Sequence, residues 1–149
     1  CYYLPKKTDG TDSYRLLSGN DWRFFYYPNP KSVDEKFVLK DYENPEYVMM
    51  EVPSCWQSKG YDYKYYSGGA FVISYDPPYV PDENPCGAYY KDFDVSNEEL
   101  EKDLYLYFEG VEAGFYVWVN GQFVGYSQVS HSPSEFDITR FVKAGKYLC

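Results

Sequence analysis

The sequence predicts an all-β fold, an antiparallel jelly-roll β-sandwich, on three observations. Aromatic residues make up 22% of the 149 positions, with 20 Tyr and 10 Phe, and these types fit pleated, half-buried surfaces. About eight short apolar runs are separated by turn signals, which fits an antiparallel sandwich, with a jelly roll preferred over an open barrel. Asn120-Gly121 lies between two aromatic and β-branched runs and is the dipeptide best suited to positive φ at both centres of a type I′ hairpin turn. Along the first of those runs Phe115, Val117 and Val119 alternate with Tyr116 and Trp118. Neither face is plainly polar, so the hairpin is expected to be covered on both sides.

The elements follow in order. Residues 1–17 mix Lys, Asp, Gly and Thr and read as an N-terminal arm, with residues 18–149 as the β-domain. Trp22 to Tyr27 forms an aromatic strand closed by Pro28-Asn29-Pro30, because prolines end ladder pairing. A polar segment from Lys31 to Pro45 crosses the surface, and Tyr47 to Val52 returns as a strand that stops at Pro53. Trp56 is expected to pin the loop that follows to the core. Phe71 to Tyr75 is a further strand, after which four prolines between Asp76 and Pro85 fix φ repeatedly and stiffen the loop. The X-Pro bonds of that loop are open to a cis peptide. Tyr89 to Val95 alternates Tyr89, Phe93 and Val95 with Tyr90, Asp92 and Asp94, the pattern of one half-exposed strand. Ser96 and Glu99 have capping-box spacing for a single helical turn before the strand from Leu104 to Phe108. Beyond the hairpin come a polar loop with His131, a short paired segment from Glu135 to Ile138, and a last strand cut short at Tyr147-Leu148-Cys149. Opening on Cys1 and closing on that strand, the chain reads as cut from something longer.

Length and charge bound the function. A chain of this size fits one domain that buries roughly two thirds of its unfolded surface without staples. The net charge of −9 and the absence of any Lys/Arg run argue against nucleic acid. No apolar run approaches the ~20 residues of a membrane span and no signal-peptide core opens the chain, so a soluble, cytoplasmic protein is expected. Cys1, Cys55, Cys86 and Cys149 form no C-x-x-C pair and read as free thiols, although a Cys55 to Cys86 bond stays open.

The chemistry available is limited. His131, the single histidine, allows no multi-histidine metal site and reads as solvated. No nucleophile elbow, phosphate-binding loop or dinucleotide fingerprint is present. A retaining glycosidase needs two carboxylates about 5 Å apart, and no spacing among the 23 acids marks such a pair. Asp76, Glu109 and Glu135 border aromatic or proline-rich stretches and are the acids of interest, with a turn or cap hydrogen bond the simpler reading for the last two. The tyrosines from Tyr61 to Tyr66 suit either sugar stacking or plain packing.

Five stretches together resemble a known family. They are Val52-Pro-Ser-Cys-Trp-Gln57 with Gly60-Tyr61, the loop from Asp76 to Pro85, the run from Phe108 to Gly121, Val124-Gly-Tyr-Ser-Gln128, and Pro133-Ser-Glu-Phe-Asp137. In this order, across about residues 14 to 148, they are similar to the N-terminal jelly-roll domain of glycoside hydrolase family 2 β-galactosidases. The resemblance implies a galactose-binding-domain-like fold, the sugar-binding domain, packed on a separate (β/α)₈ barrel that holds both catalytic glutamates. The parent enzyme would hydrolyse terminal β-D-galactosides such as lactose with retention. Mg²⁺ and Na⁺ would sit in sites made mainly by the barrel, this chain would hold no cofactor and be inactive alone, and the parent would be a homo-oligomer. The domain would be truncated before its last strands.

One site residue is implied. In that family an Asn before Pro-Pro reaches the galactose pocket, and here that position is Asp76. A carboxylate accepts hydrogen bonds from sugar hydroxyls but donates none, unlike an amide. Other departures are Cys55 for the usual Asn before Trp-Gln, Ser67-Gly68 for a Thr-Asn pair, Cys86 and Ala88 around Gly87, and His131 for a basic residue. Two further functions fit the residues: an autonomous carbohydrate-binding module stacking sugars on Tyr63, Tyr65 or Tyr66, and a structural contact domain.

Overall fold

A computed structural model of the chain describes residues 14–39, 46–62, 78–79, 81–143 and the backbone of 145–148. The strand expected from Phe71 to Tyr75, the tyrosines 63, 65 and 66, and Asp76 lie outside the described residues. Nine strands are described: β1 Gly19–Tyr27, β2 Val48–Val52, β3 Cys86–Tyr90, β4 Asp92–Val95, β5 Tyr105–Phe108, β6 Phe115–Val119, β7 Gln122–Ser127, β8 Ser134–Asp137 and β9 Gly145–Leu148. Helix among these residues is confined to 3-10 turns of three or four residues. Every described pairing is antiparallel: β2-β1-β3 form one sheet, and β4 pairs β9, β5 pairs β8 and β6 pairs β7.

The aromatic strand β1 is the spine of the first sheet. Phe24 is fully buried, opposite Val48 on one side and Tyr89 on the other. Its reverse face carries Tyr27, which packs with Ala88 and Tyr90 under Phe25, Val33 and Phe37. Val33 and Phe37 come from the supposedly polar crossing, where Asn29 and Asp34 each accept a backbone N–H and cap a 3-10 turn. Those caps let the chain turn inward long enough to contribute two apolar side chains.

The stretch from Tyr89 to Val95 is two strands, not one. Burial falls on Ala88 and Tyr90, then on Phe93 and Val95, so the alternation shifts by one residue at Lys91. There the chain leaves β1 and pairs with β9 instead, as strands do when they pass from one sheet to another. Lys91 is 8% exposed, and its ammonium pairs with the carboxylate of Asp21. Phe93 and Val95 then enter the larger core with Leu106, Val117, Val119, Ile138 and Val142. Leu17 packs against the same core, and Arg15 donates to the Asp94 carbonyl at 2.6 Å, so residues 15–17 lie along β4.

The turn chemistry matches the sequence. Ser96 N–H donates to Glu99 Oε2 at 2.7 Å and Glu99 N–H to Ser96 Oγ at 3.2 Å, a reciprocal capping box. Asn120 and Gly121 both have positive φ, 50° and 79°, as a type I′ turn requires. The hairpin differs from expectation in its covering. Val117 and Val119 are buried, but Tyr116, Phe123 and Tyr126 on the opposite face are 60%, 54% and 45% exposed. Among the described residues only Phe37 stacks on that face, its ring centroid 5.3 Å from that of Trp118.

Candidate functional site

The loop after β2 packs over one face of the first sheet. Cys55 to Gly60 make a 3-10 turn closed by Gly60 in the left-handed region, φ 91°, whose N–H donates to the Gln57 carbonyl. This fold of the loop lays Trp56 over β1. Its ring centroid is 5.9 Å from Phe24 and 6.0 Å from Tyr26, and Tyr61 closes on the same two rings at 5.1 and 6.2 Å. Tyr89 stacks on Phe24 at 4.8 Å from the neighbouring strand. The expected pinning role of Trp56 is therefore realised.

Gly87 makes room for this cluster. An ideal Cβ there would stand 2.7 Å from Trp56 Cε3 and 2.8 Å from Phe24 Cε2, closer than any side chain tolerates. Burial pushes the Tyr89 hydroxyl up to about 12, with a further contribution from the Cys55 thiol beside it. Burial likewise raises the Cys86 thiol. Cys55 and Cys86 are free, with Cys55 exposed and its Sγ 2.7 Å from Gln57 Oε1. The result is a largely apolar seat in which burial holds the protons of Tyr89 and Cys86.

Residues 81–85 of the proline-rich loop lead into β3. Tyr79 is 74% exposed, and Asp82 stands 3.7 Å from Lys31 with both side chains in solvent. Asp76, the residue implied for the sugar pocket, lies outside the described residues. The cis peptide described is Val52–Pro53, at the mouth of the Trp56 loop.

The other residues of interest are scattered. Glu109 is exposed after β5, and Glu135 is exposed on β8 opposite Tyr107. His131 is exposed in the left-handed region, φ 59°, with Nδ1 2.8 Å from Ser130 Oγ. Among the described residues, the carboxylates whose titration is displaced all move down. Asp21 is lowered by its hydrogen bond from Lys91, Glu99 by the Ser96 N–H and Asp137 by Thr139. A glycosidase general acid is displaced the other way. Among the described residues, no three His, Cys, Asp or Glu side chains gather where they could hold a metal ion, and no helix is long and apolar enough to cross a membrane. What these residues offer is an aromatic seat for the Trp56 loop. Sequence reasoning named Trp56 but missed its partners Phe24, Tyr26 and Gly87, because their convergence depends on strand pairing.

Comparison with known proteins gives the lineage. The family model described as glycosyl hydrolases family 2, sugar binding domain, matches residues 14–149. A β-galactosidase of Staphylococcus xylosus is 42% identical over 131 residues, covering 88% of this chain and 13% of the relative. A β-galactosidase of Yersinia enterocolitica is 40% identical over 140 residues, covering 93% and 13%. The chain thus spans about one eighth of the length of these relatives. Among solved structures, a β-glucuronidase of an uncultured Clostridium sp. superposes with a TM-score of 0.64 at 18% identity, covering 89% of this chain and 20% of that one. A Bifidobacterium dentium β-glucuronidase gives 0.62 at 20% identity, covering 93% and 20%. At such identities these structures speak to the fold alone, an antiparallel jelly-roll β-sandwich. The chain belongs to the sugar-binding domain family of the family 2 glycosyl hydrolases.

Proposed function

We propose that this chain is the N-terminal, non-catalytic domain of a β-galactosidase that hydrolyses terminal β-D-galactosides such as lactose. In this reading it packs on a catalytic barrel and lends the loop carrying Asp76 to the galactose pocket. The observation that supports this most is the pair of relatives named β-galactosidase, at 42% and 40% identity over nearly the whole chain. The structural neighbours named β-glucuronidase share only 18% and 20% of residues and carry no comparable weight on substrate.

The described residues are consistent with a mounting role. Trp56, Tyr61 and Tyr89 seat the Trp56 loop on Phe24, and the proline-rich loop runs directly into β3 beside them. Four prolines between Asp76 and Pro85 restrict that loop's freedom, so little is left to lose when it meets a sugar. The Asp76 carboxylate would accept hydrogen bonds from galactose hydroxyls. The two catalytic carboxylates, the retaining mechanism and any Mg²⁺ or Na⁺ requirement belong in this reading to the barrel, and the enzyme would work in the cytoplasm as a homo-oligomer.

The test is the substrate profile of the full-length polypeptide. Nitrophenyl β-D-galactoside and lactose are expected to be turned over, and nitrophenyl β-D-glucuronide to be a far poorer substrate. A preference for the glucuronide would overturn the assignment.

A further inference from the structure

The outer face of the β6–β7 hairpin is a feature that the proposed function leaves unused. Tyr116 pairs Tyr126 and Trp118 pairs Phe123 across the strands. A bulge at Val124 sets the pattern: without that extra residue Phe123 and Tyr126, three apart, would point to opposite faces. The four rings form one continuous surface. Tyr116 lies 4.5 Å from Tyr126, 5.7 Å from Trp118 and 6.4 Å from Phe123, and Trp118 lies 5.6 Å from Phe123.

Two properties distinguish this face from ordinary solvent-facing strand. Charged residues are 25% of the chain, yet none occurs between Glu112 and Glu135. An exposed strand in a soluble protein carries charges to keep other chains away, and an aromatic face without them is the composition of a buried contact. The rings are also tilted against one another by 35° to 59°, which makes a ridged surface. A pyranose stacks on one flat, open ring, whereas ridges interdigitate with side chains. The Tyr126 hydroxyl already donates its proton to Gln128 Oε1, at 3.2 Å, and so offers a sugar hydroxyl no donor.

We infer that the Tyr116, Trp118, Phe123 and Tyr126 face is a permanent contact surface covered by an uncharged, apolar surface of another domain of the same polypeptide. The inference rests on the reading of this chain as one domain of a longer enzyme. About seven eighths of the length of its β-galactosidase relatives lies outside the matched region and is available to supply that cover. Phe37, already stacked on Trp118, marks how the cover begins: an apolar ring set edge-on against the ridge.

Hydroxyl-radical footprinting of the wild-type full-length enzyme, read by mass spectrometry at Tyr116, Phe123 and Tyr126, tests this without any substitution. The urea-unfolded enzyme supplies the reference rate. Oxidation of the three rings is expected to be lost in the resting enzyme, with and without galactose, and at every concentration down to that where sedimentation shows a single protomer. Oxidation at the unfolded rate in the resting enzyme would overturn the inference, whether or not galactose then suppressed it. Protection that vanished on dilution together with an oligomer would overturn it in favour of a second copy. Because no turnover is read, an enzyme that proved to prefer another sugar would still show the protection, so this result and the substrate profile fail independently.

Discussion

Single side chains set the seat of the Trp56 loop, and each can be tested. Gly87→Ala inserts a methyl between the Trp56 and Phe24 rings. It should cost about 1–3 kcal/mol in urea denaturation, the usual cost of overpacking, while Gly60→Ala, with nothing within 4 Å, meets only backbone strain. Tyr89 titrates at about 12 in the fold against 10.0 for a free tyrosine, because burial disfavours the phenolate. A folded value above the unfolded one means that the unfolded chain loses its proton first. The stability that Tyr89 contributes is therefore complete below pH 10 and lost as the pH rises from 10 towards 12. Tyr89→Phe should flatten that alkaline decline in a denaturation series. Lys91 offers a third test. Removing the exposed partner with Asp21→Asn strands a buried ammonium, whereas Lys91→Met removes the charge itself. The first should destabilise more than the second, the reverse of the order expected were the pair a source of stability.

Elements defined by local chemistry could be read directly from the sequence, and those defined by distant pairing could not. The Ser96 and Glu99 box and the Asn120-Gly121 turn each lie within a few residues, and both form as their spacing implies. Ser96→Ala should cost about 1 kcal/mol, as caps generally do. Glu99 sits below its ordinary value, held there first by the Ser96 N–H and also by Arg15, so its contribution exists above about pH 4.5 and fades as the pH falls through the folded value. A Glu99→Gln variant should accordingly lose its disadvantage in acid. Gly121→Ala, at φ 79° and with the Val38 carbonyl oxygen 3.2 Å from the new Cβ, should cost about 1–2 kcal/mol. By contrast, the break at Lys91 was hidden. Tyr89 to Val95 reads as one alternating strand because the switch from β1 to β9 is made by the rest of the fold, with no proline or glycine to announce it. The caps at Asn29 and Asp34 were missed in the same way, since a polar segment gives no sign of which apolar residues it will turn inward.

At the scale of the molecule, long motifs carried the lineage while composition carried only the class. Aromatic content and turn spacing lead to a β-sandwich, and the stretches around Trp56, Asp76 and the hairpin lead to the family whose model spans residues 14–149. The open outer face of the hairpin was not legible. An aromatic strand apolar on both sides looks the same whether its second face is covered by its own domain or by a neighbour, and here Tyr116 is 60% exposed. The proposed function places the Asp76 carboxylate in contact with the sugar, and that contact is its central claim. The decisive measurement is kcat/KM for nitrophenyl β-D-galactoside in the full-length enzyme and its Asp76→Ala variant, with thermal unfolding measured alongside. Loss of hydrogen bonds from sugar hydroxyls to a carboxylate should lower kcat/KM about ten- to a hundred-fold at unchanged melting temperature. An unaltered kcat/KM in a fully folded variant would contradict the claim that this domain reaches the substrate.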